Sequence, residues 1–196
     1  MRVAVSGSHG TGKSTLIAAF LERCPEYAHE PEAFELLGDE IDFEDGAPSA
    51  DGLRLLLAHT VSTLDRCAPG ASVVFERSPV DYLAYAIASR SWARGSAAAF
   101  LEESLPVVRR SLLQLDLIAF LPVAPGGPAV RPGEDPRLRK RVDRALANAL
   151  LDDEYDLLAE AGSPRVVALP TSLEGRVAEL IRAIAMPRTF AGRSVT

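Results

Sequence analysis

Lysine is nearly missing from this chain: of 21 basic residues only Lys13 and Lys140 are lysine, and every other one is arginine. A sequence that uses arginine almost everywhere and lysine at position 13 marks a place where a compact ammonium fits and a planar guanidinium fork does not. Cysteine is equally sparse. Cys24 and Cys67 stand alone, with no CxxC or Cys/His spacing, so they read as reduced, ordinary packing residues and not as a disulfide framework or a metal site. No apolar run is long enough to span a membrane and no signal-peptide pattern is present, so the expectation is a cytoplasmic protein with no membrane partner. A basic field is lacking too. The net charge of −6 and pI near 5.2 argue against polymeric nucleic acid as a partner, although a local basic run spans residues 137–144.

With 196 residues and 47% hydrophobic content, the chain can bury the core of one α/β domain. That domain is expected over residues 1–186, with 187–196 a frayed, disordered tail. Short apolar runs (Arg2 to Ser6, Tyr27 to Glu30, Ser72 to Glu76, Asp116 to Leu121, Val166 to Leu169) alternate with helical patterns. The helices are expected at Thr15 to Arg23, Leu53 to Arg66, Val80 to Ser89, Ala97 to Leu115, Pro136 to Leu158 and Leu173 to Ala185. Such alternation means right-handed βαβ units and a parallel sheet covered on both faces. Asp45 to Gly52 reads as a turn-rich surface loop, and residues 123–145 as a proline- and glycine-rich lid running into a helix.

Gly7-Ser8-His9-Gly10-Thr11-Gly12-Lys13-Ser14 follows the first strand and opens a helix, the setting a P-loop requires. Its glycines free successive backbone N–H groups to cradle a polyphosphate, and the positive end of the following helix faces the same anion. Gly7 to Ser14 together with Thr15 are therefore candidate ATP-binding residues, Lys13 reaching the β and γ phosphates and Ser14 ligating Mg²⁺. Glu76 ends a buried-strand pattern, where ligands sit in a parallel sheet, and becomes the second candidate for the metal. Arg77 and Ser78 follow, and Pro79 suits a first helical turn. An arginine there can grip a transferred phosphoryl group.

Glu30 and Glu32 flank Pro31, and either could take a proton from an acceptor hydroxyl; the ordinary alternative is a pair of solvated carboxylates in an acidic stretch. Arg131 and Arg137 are the two arginines of the lid region chosen to stabilise the transferring group, against a solvated helix face. Thr171 lies where the last strand meets the last helix, a place to cover a nucleobase or to cap the helix. The aromatics Phe34, Phe43, Tyr82, Tyr85 and Trp92 can stack on a base or fill core.

The Glu76-Arg77-Ser78 run at a strand end resembles the deoxynucleoside kinases, as does Glu30-Pro31 after the second strand. In that family the glutamate of the first motif helps hold the metal, the arginine contacts the substrate near the transferred phosphate, and the glutamate of the second acts as base. The second half of the chain looks more like small bacterial P-loop ATPases related to ribosylnicotinamide kinases. The resemblance implies a three-layer α/β P-loop NTPase domain with a five-stranded parallel sheet, kinase-like, working with ATP and Mg²⁺. It implies a small-molecule acceptor, first a nucleoside or nucleotide-like one. The alternatives are a regulatory ATPase with no acceptor, or a kinase of a sugar, cyclitol or antibiotic hydroxyl. No Asn-Lys-x-Asp motif is visible, against a Ras-type GTPase, and the chain is too short for a ring-forming AAA+ module with its extra helical domain. A homodimer stays open.

Overall fold

A computed structural model of the chain describes residues 1–44, 47–89, 92, 95–123 and 135–186. Five strands form one parallel sheet in the order β2-β5-β1-β6-β7: β1 (Arg2–Ser6), β2 (Ala28–Glu30), β5 (Val73–Glu76), β6 (Leu117–Phe120) and β7 (Arg165–Ala168). β1 is central, pairing Val3 with Val74 on one side and with Leu117 on the other. Alternation along these strands divides the core. Ala4, Phe75, Ile118 and Phe120 join one buried cluster, and Val3, Val5, Val74, Leu117 and Ala119 join the other.

The first cluster is completed by α3 (Ala50–Arg66), α4 (Pro79–Ala88), α5 (Ser96–Leu112) and α6 (Pro136–Leu150), the second by α1 (Lys13–Arg23) and α7 (Leu173–Ala185). Helices on both faces of a parallel sheet make the three-layer α/β architecture that the sequence implies. Helix starts follow side-chain chemistry. Ser78 and Asp81 form a reciprocal capping box on α4, which has proline in its first turn, and Asp135 and Ser172 accept backbone N–H bonds at the starts of α6 and α7.

Three elements differ from expectation. The segment 45–52 is not simply a loop: Ala47–Pro48 (β4) pairs antiparallel with Phe43–Glu44 (β3), and α3 begins at Ala50. Ser49 caps that helix by accepting from Gly52 N, and Gly52 is a packing glycine, because a Cβ there would meet Ile41 Cγ2 at 3.0 Å. A short helix α2 (Ala33–Leu37) and a 3₁₀ turn (Gly38–Glu40) fill the stretch before it. The helix expected to reach Leu158 stops at Leu150, because Asp153 takes a positive φ of 50° and its carboxylate accepts from Leu157 N and Leu158 N. Most of the expected lid segment, including Arg131, and the expected tail lie outside the described residues.

Candidate functional site

The phosphate loop joins the carboxyl end of β1 to α1. Gly10 and Gly12 take φ of 65° and 90°, a region that disfavours a side chain, and a Cβ on Gly7 would come within 2.9 Å of both Leu121 O and Thr11 Oγ1. The loop is braced from several elements. Thr11 Oγ1 donates to Ser8 O at 2.9 Å, and Gly7 N donates to Asp81 Oδ1 at 3.1 Å. Two consecutive carbonyls are held by arginines: Arg139 of α6 donates to Gly10 O at 3.0 Å, and Arg176 of α7 donates to Thr11 O at 2.9 Å and to Pro170 O at 2.8 Å. Lys13 is buried, with Nζ donating to Ser8 O at 3.2 Å. Burial, and then the nearby Arg77, lower its pKa to about 8.

Beside it, Ser14 Oγ donates to Glu76 Oε1 at 2.9 Å. Glu76 Oε2 and Ser8 Oγ are buried with no hydrogen-bond partner, and His29 Nε2 stands 4.0 Å from Glu76 Oε2. A buried carboxylate oxygen with an open lone pair beside a hydroxyl is the hard-oxygen pair that Mg²⁺ takes together with phosphate, so these residues fit the implied ion.

Across the cleft, Arg77 takes a φ of 80°, unusual for a residue with a side chain, and is buried. Its Nε donates to Glu32 through a very short contact, Nη1 donates to Gly7 O at 3.1 Å and to Asp81 Oδ1 at 3.2 Å, and its guanidinium lies 5.3 Å from the Tyr85 ring centre. Burial pushes the Glu32 carboxyl up, but Arg77 and then Lys13 outweigh it and hold Glu32 below the usual glutamate value. Tyr85 Oη also meets His9 Nδ1 at 3.2 Å.

These groups line one cleft of about 610 Å³. Its polar side carries Gly10, Gly12, Lys13, Ser14, Thr15, Glu32, Glu76 and Arg77, and its apolar side carries Phe34, Phe43, Pro48, Leu53, Leu56 and Tyr82. The structure thus brings Lys13, Ser14, Glu76 and Arg77 together. Glu30, half-buried at the end of β2, is not among the lining residues, whereas Glu32, at the N-cap position of α2, is. Arg137 is exposed, and so is Thr171 in the turn before α7. Sequence reading missed Asp81, Arg139 and Arg176 as parts of the loop's support. Nothing local in the sequence marks Asp81 as buried beneath the loop, or which arginine of a helix turns inward.

A family model described as "AAA domain" matches residues 2–165. The chain belongs to that family. No curated protein matches it in sequence. Among solved structures, this AAA-domain chain is similar to a deoxyadenosine kinase from M. mycoides with bound dATP, at a TM-score of 0.69 and 12% identity over 95% of this chain and 100% of that one. The same enzyme with dCMP and a flexible dCDP aligns at a TM-score of 0.66 and 13% identity, covering 94% and 98% of the two chains. A thymidylate kinase from Candida albicans follows at 0.61 and 13%, covering 93% and 90%. At such identities the likeness shows the fold: a P-loop kinase-like α/β domain resembling the deoxynucleoside kinases.

Proposed function

We propose that the chain is an ATP- and Mg²⁺-dependent phosphotransferase acting on the hydroxyl of a small molecule. One observation carries the reading: Lys13, Glu32, Glu76 and Arg77 line a single cleft whose remaining walls leave room for a second substrate. A nucleotide switch needs the phosphate loop but no such room.

Lys13 holds the β and γ phosphates as a point charge, and the loop amides hold the remaining charge. Ser14 and Glu76 would hold the ion, and Mg²⁺ would supply positive charge to neutralise that developing on the transferring group. Glu32 orients the acceptor hydroxyl by accepting its hydrogen bond. With its pKa depressed, it is a weak base, which suits a loose phosphoryl-transfer transition state where positioning matters more than deprotonation. Arg77 fixes Glu32 and ties it to the phosphate loop through Gly7 O. Residues 1–186 act as one domain in this reading. The sequence resemblance ranks a nucleoside or nucleotide-like acceptor first; the site itself says only that the charge balance favours a neutral hydroxyl over a phosphate, because Arg77 is compensated by both Glu32 and Asp81.

The test is acceptor-dependent ATP turnover in a metabolite panel, with Glu32→Gln and Glu30→Gln compared. Glu32→Gln is expected to lose about 10²-fold or more of the stimulated rate, and Glu30→Gln to keep it. Stimulation unaffected by Glu32→Gln contradicts the assignment of Glu32, and absence of stimulation by any acceptor contradicts the phosphotransferase.

A further inference from the structure

The apolar half of the cleft carries an inference of its own, which rests on the phosphotransferase reading. Phe34 of α2 and Phe43 of β3 pack edge to face at 5.7 Å and stay 37% and 51% exposed, so their free faces are open to the cleft and to solvent. Buried Leu53 and Leu56 of α3 extend that surface inward. An aromatic pair kept partly in water beside buried leucines gains by receiving apolar surface.

The polar atoms nearby are already taken. Tyr82 Oη bonds Thr60 Oγ1 at 2.9 Å, and Tyr85 Oη meets His9 and Arg77. Carboxamides, the side chains that pair with a nucleobase edge through both a donor and an acceptor, number two in the whole chain, Gln114 and Asn148. Neither lines the cleft: Gln114 donates to Asp65, and Asn148 donates to Glu154. Besides the two tyrosines, the residues from His9 to Thr15, and Glu32, Glu76 and Arg77, the polar side chains among the described lining residues are Glu35 and Asp135, and a carboxylate accepts without donating. An anionic acceptor is also disfavoured, since Glu32, Glu35 and Glu76 line the cleft and Arg77 is compensated.

We infer that the acceptor is a neutral alcohol on an apolar or aromatic body, held by contact with Phe34, Phe43, Leu53 and Leu56, and that nucleosides and nucleotides are poor acceptors. The hydroxyl oxygen forms a bond to the γ phosphorus as the bond from that phosphorus to the β,γ-bridging oxygen breaks. ADP leaves, and the hydroxyl proton passes through the hydrogen bond to Glu32 and on to solvent. The acceptor becomes a phosphate monoester. An apolar pocket rejects an added polar group only by about a hundredfold, so the preference is measurable without being absolute.

The test uses the full chain with MgATP and follows acceptor-dependent ADP release and the new phosphate ester by phosphorus NMR. The acceptors are 2-phenylethanol, 3-phenylpropan-1-ol, thymidine, 2′-deoxyadenosine and dTMP. The phenyl alcohols are expected to exceed both nucleosides by about tenfold or more in kcat/KM, with dTMP inert. Phe34→Ser and Phe43→Ser should each raise the KM of the alcohols about fivefold or more. Leu36→Ser, on the same helix as Phe34 but not lining the cleft, should leave that KM unchanged. Preference for a nucleoside or for dTMP overturns this inference and leaves the phosphotransferase standing, as does failure of both alcohols where a nucleoside turns over. Alcohol KM values unmoved by either phenylalanine variant also overturn it. If all five acceptors stay unphosphorylated, this inference is overturned, and the phosphotransferase reading is decided separately by the metabolite panel.

Discussion

Lys13 keeps its ammonium in a buried loop, where it donates to the carbonyl of Ser8. Burial and Arg77 bring its pKa down to about 8 from 10.5 in the free side chain. The native state therefore binds fewer protons than the unfolded chain between those values, and the destabilisation from the buried charge is relieved as pH rises through that window. A bound polyphosphate reverses the shift by favouring the charged form. ATP binding near pH 8.5 is then expected to take up most of a proton at Lys13, visible as a calorimetric heat that changes with the ionisation enthalpy of the buffer. No buffer dependence contradicts it. Glu32 runs the other way: held below its ordinary value of 4.5 by Arg77, it contributes stability that is present above that pH and is lost as pH falls below it. Removing its charge leaves Arg77 short of a partner, so Glu32→Gln is expected to lower stability by about 1–3 kcal/mol, and Glu30→Gln by about 0.5 kcal/mol or less. Denaturant unfolding separates them. At this scale the sequence was informative where chemistry is local. A P-loop lysine and a strand-end glutamate are written into their immediate neighbours, whereas the choice between Glu30 and Glu32 depends on where α2 begins.

Two helices far apart in sequence meet at the same turn of the phosphate loop, Arg139 from α6 on Gly10 O and Arg176 from α7 on Thr11 O. Arg176 also holds Pro170 O, so it links the phosphate loop to the turn that opens α7. The role this suggests is positioning, since Arg176 holds two backbone segments in register. Arg176→Met is expected to weaken ATP binding by about 1.5–3 kcal/mol, roughly ten- to a hundredfold, measured by calorimetry with the melting temperature recorded alongside. Unchanged affinity contradicts the positioning role. Neither arginine is distinguishable in sequence, since a helix does not announce which of its charged side chains is buried. The strands were legible because each is a short apolar run, and the β3–β4 hairpin was not, because two-residue strands carry no periodicity. Asp45 to Gly52 looked like a loop because glycine, proline, serine and aspartate also serve as caps and close-packing residues.

Across the whole molecule, the order β2-β5-β1-β6-β7 sets β1 between β5 and β6, so the phosphate loop and the Glu76-Arg77 pair leave adjacent strands at the same sheet end. That adjacency brings Ser14 and Glu76, 62 apart in sequence, into a hydrogen bond, the pair proposed to hold Mg²⁺. Glu76→Gln is expected to raise the Mg²⁺ concentration needed for half-maximal turnover about tenfold or more, checked by a magnesium titration at fixed ATP. A turnover curve superimposable on wild type contradicts the metal assignment. The central claim is that the γ-phosphoryl group passes to an acceptor hydroxyl instead of to water. The most direct measurement follows ATP labelled in the γ-phosphoryl group and asks where the label ends. The account predicts label in an organic phosphate monoester, formed in step with ADP and lost in Lys13→Ala. Label recovered only as inorganic phosphate, with every acceptor present, contradicts it.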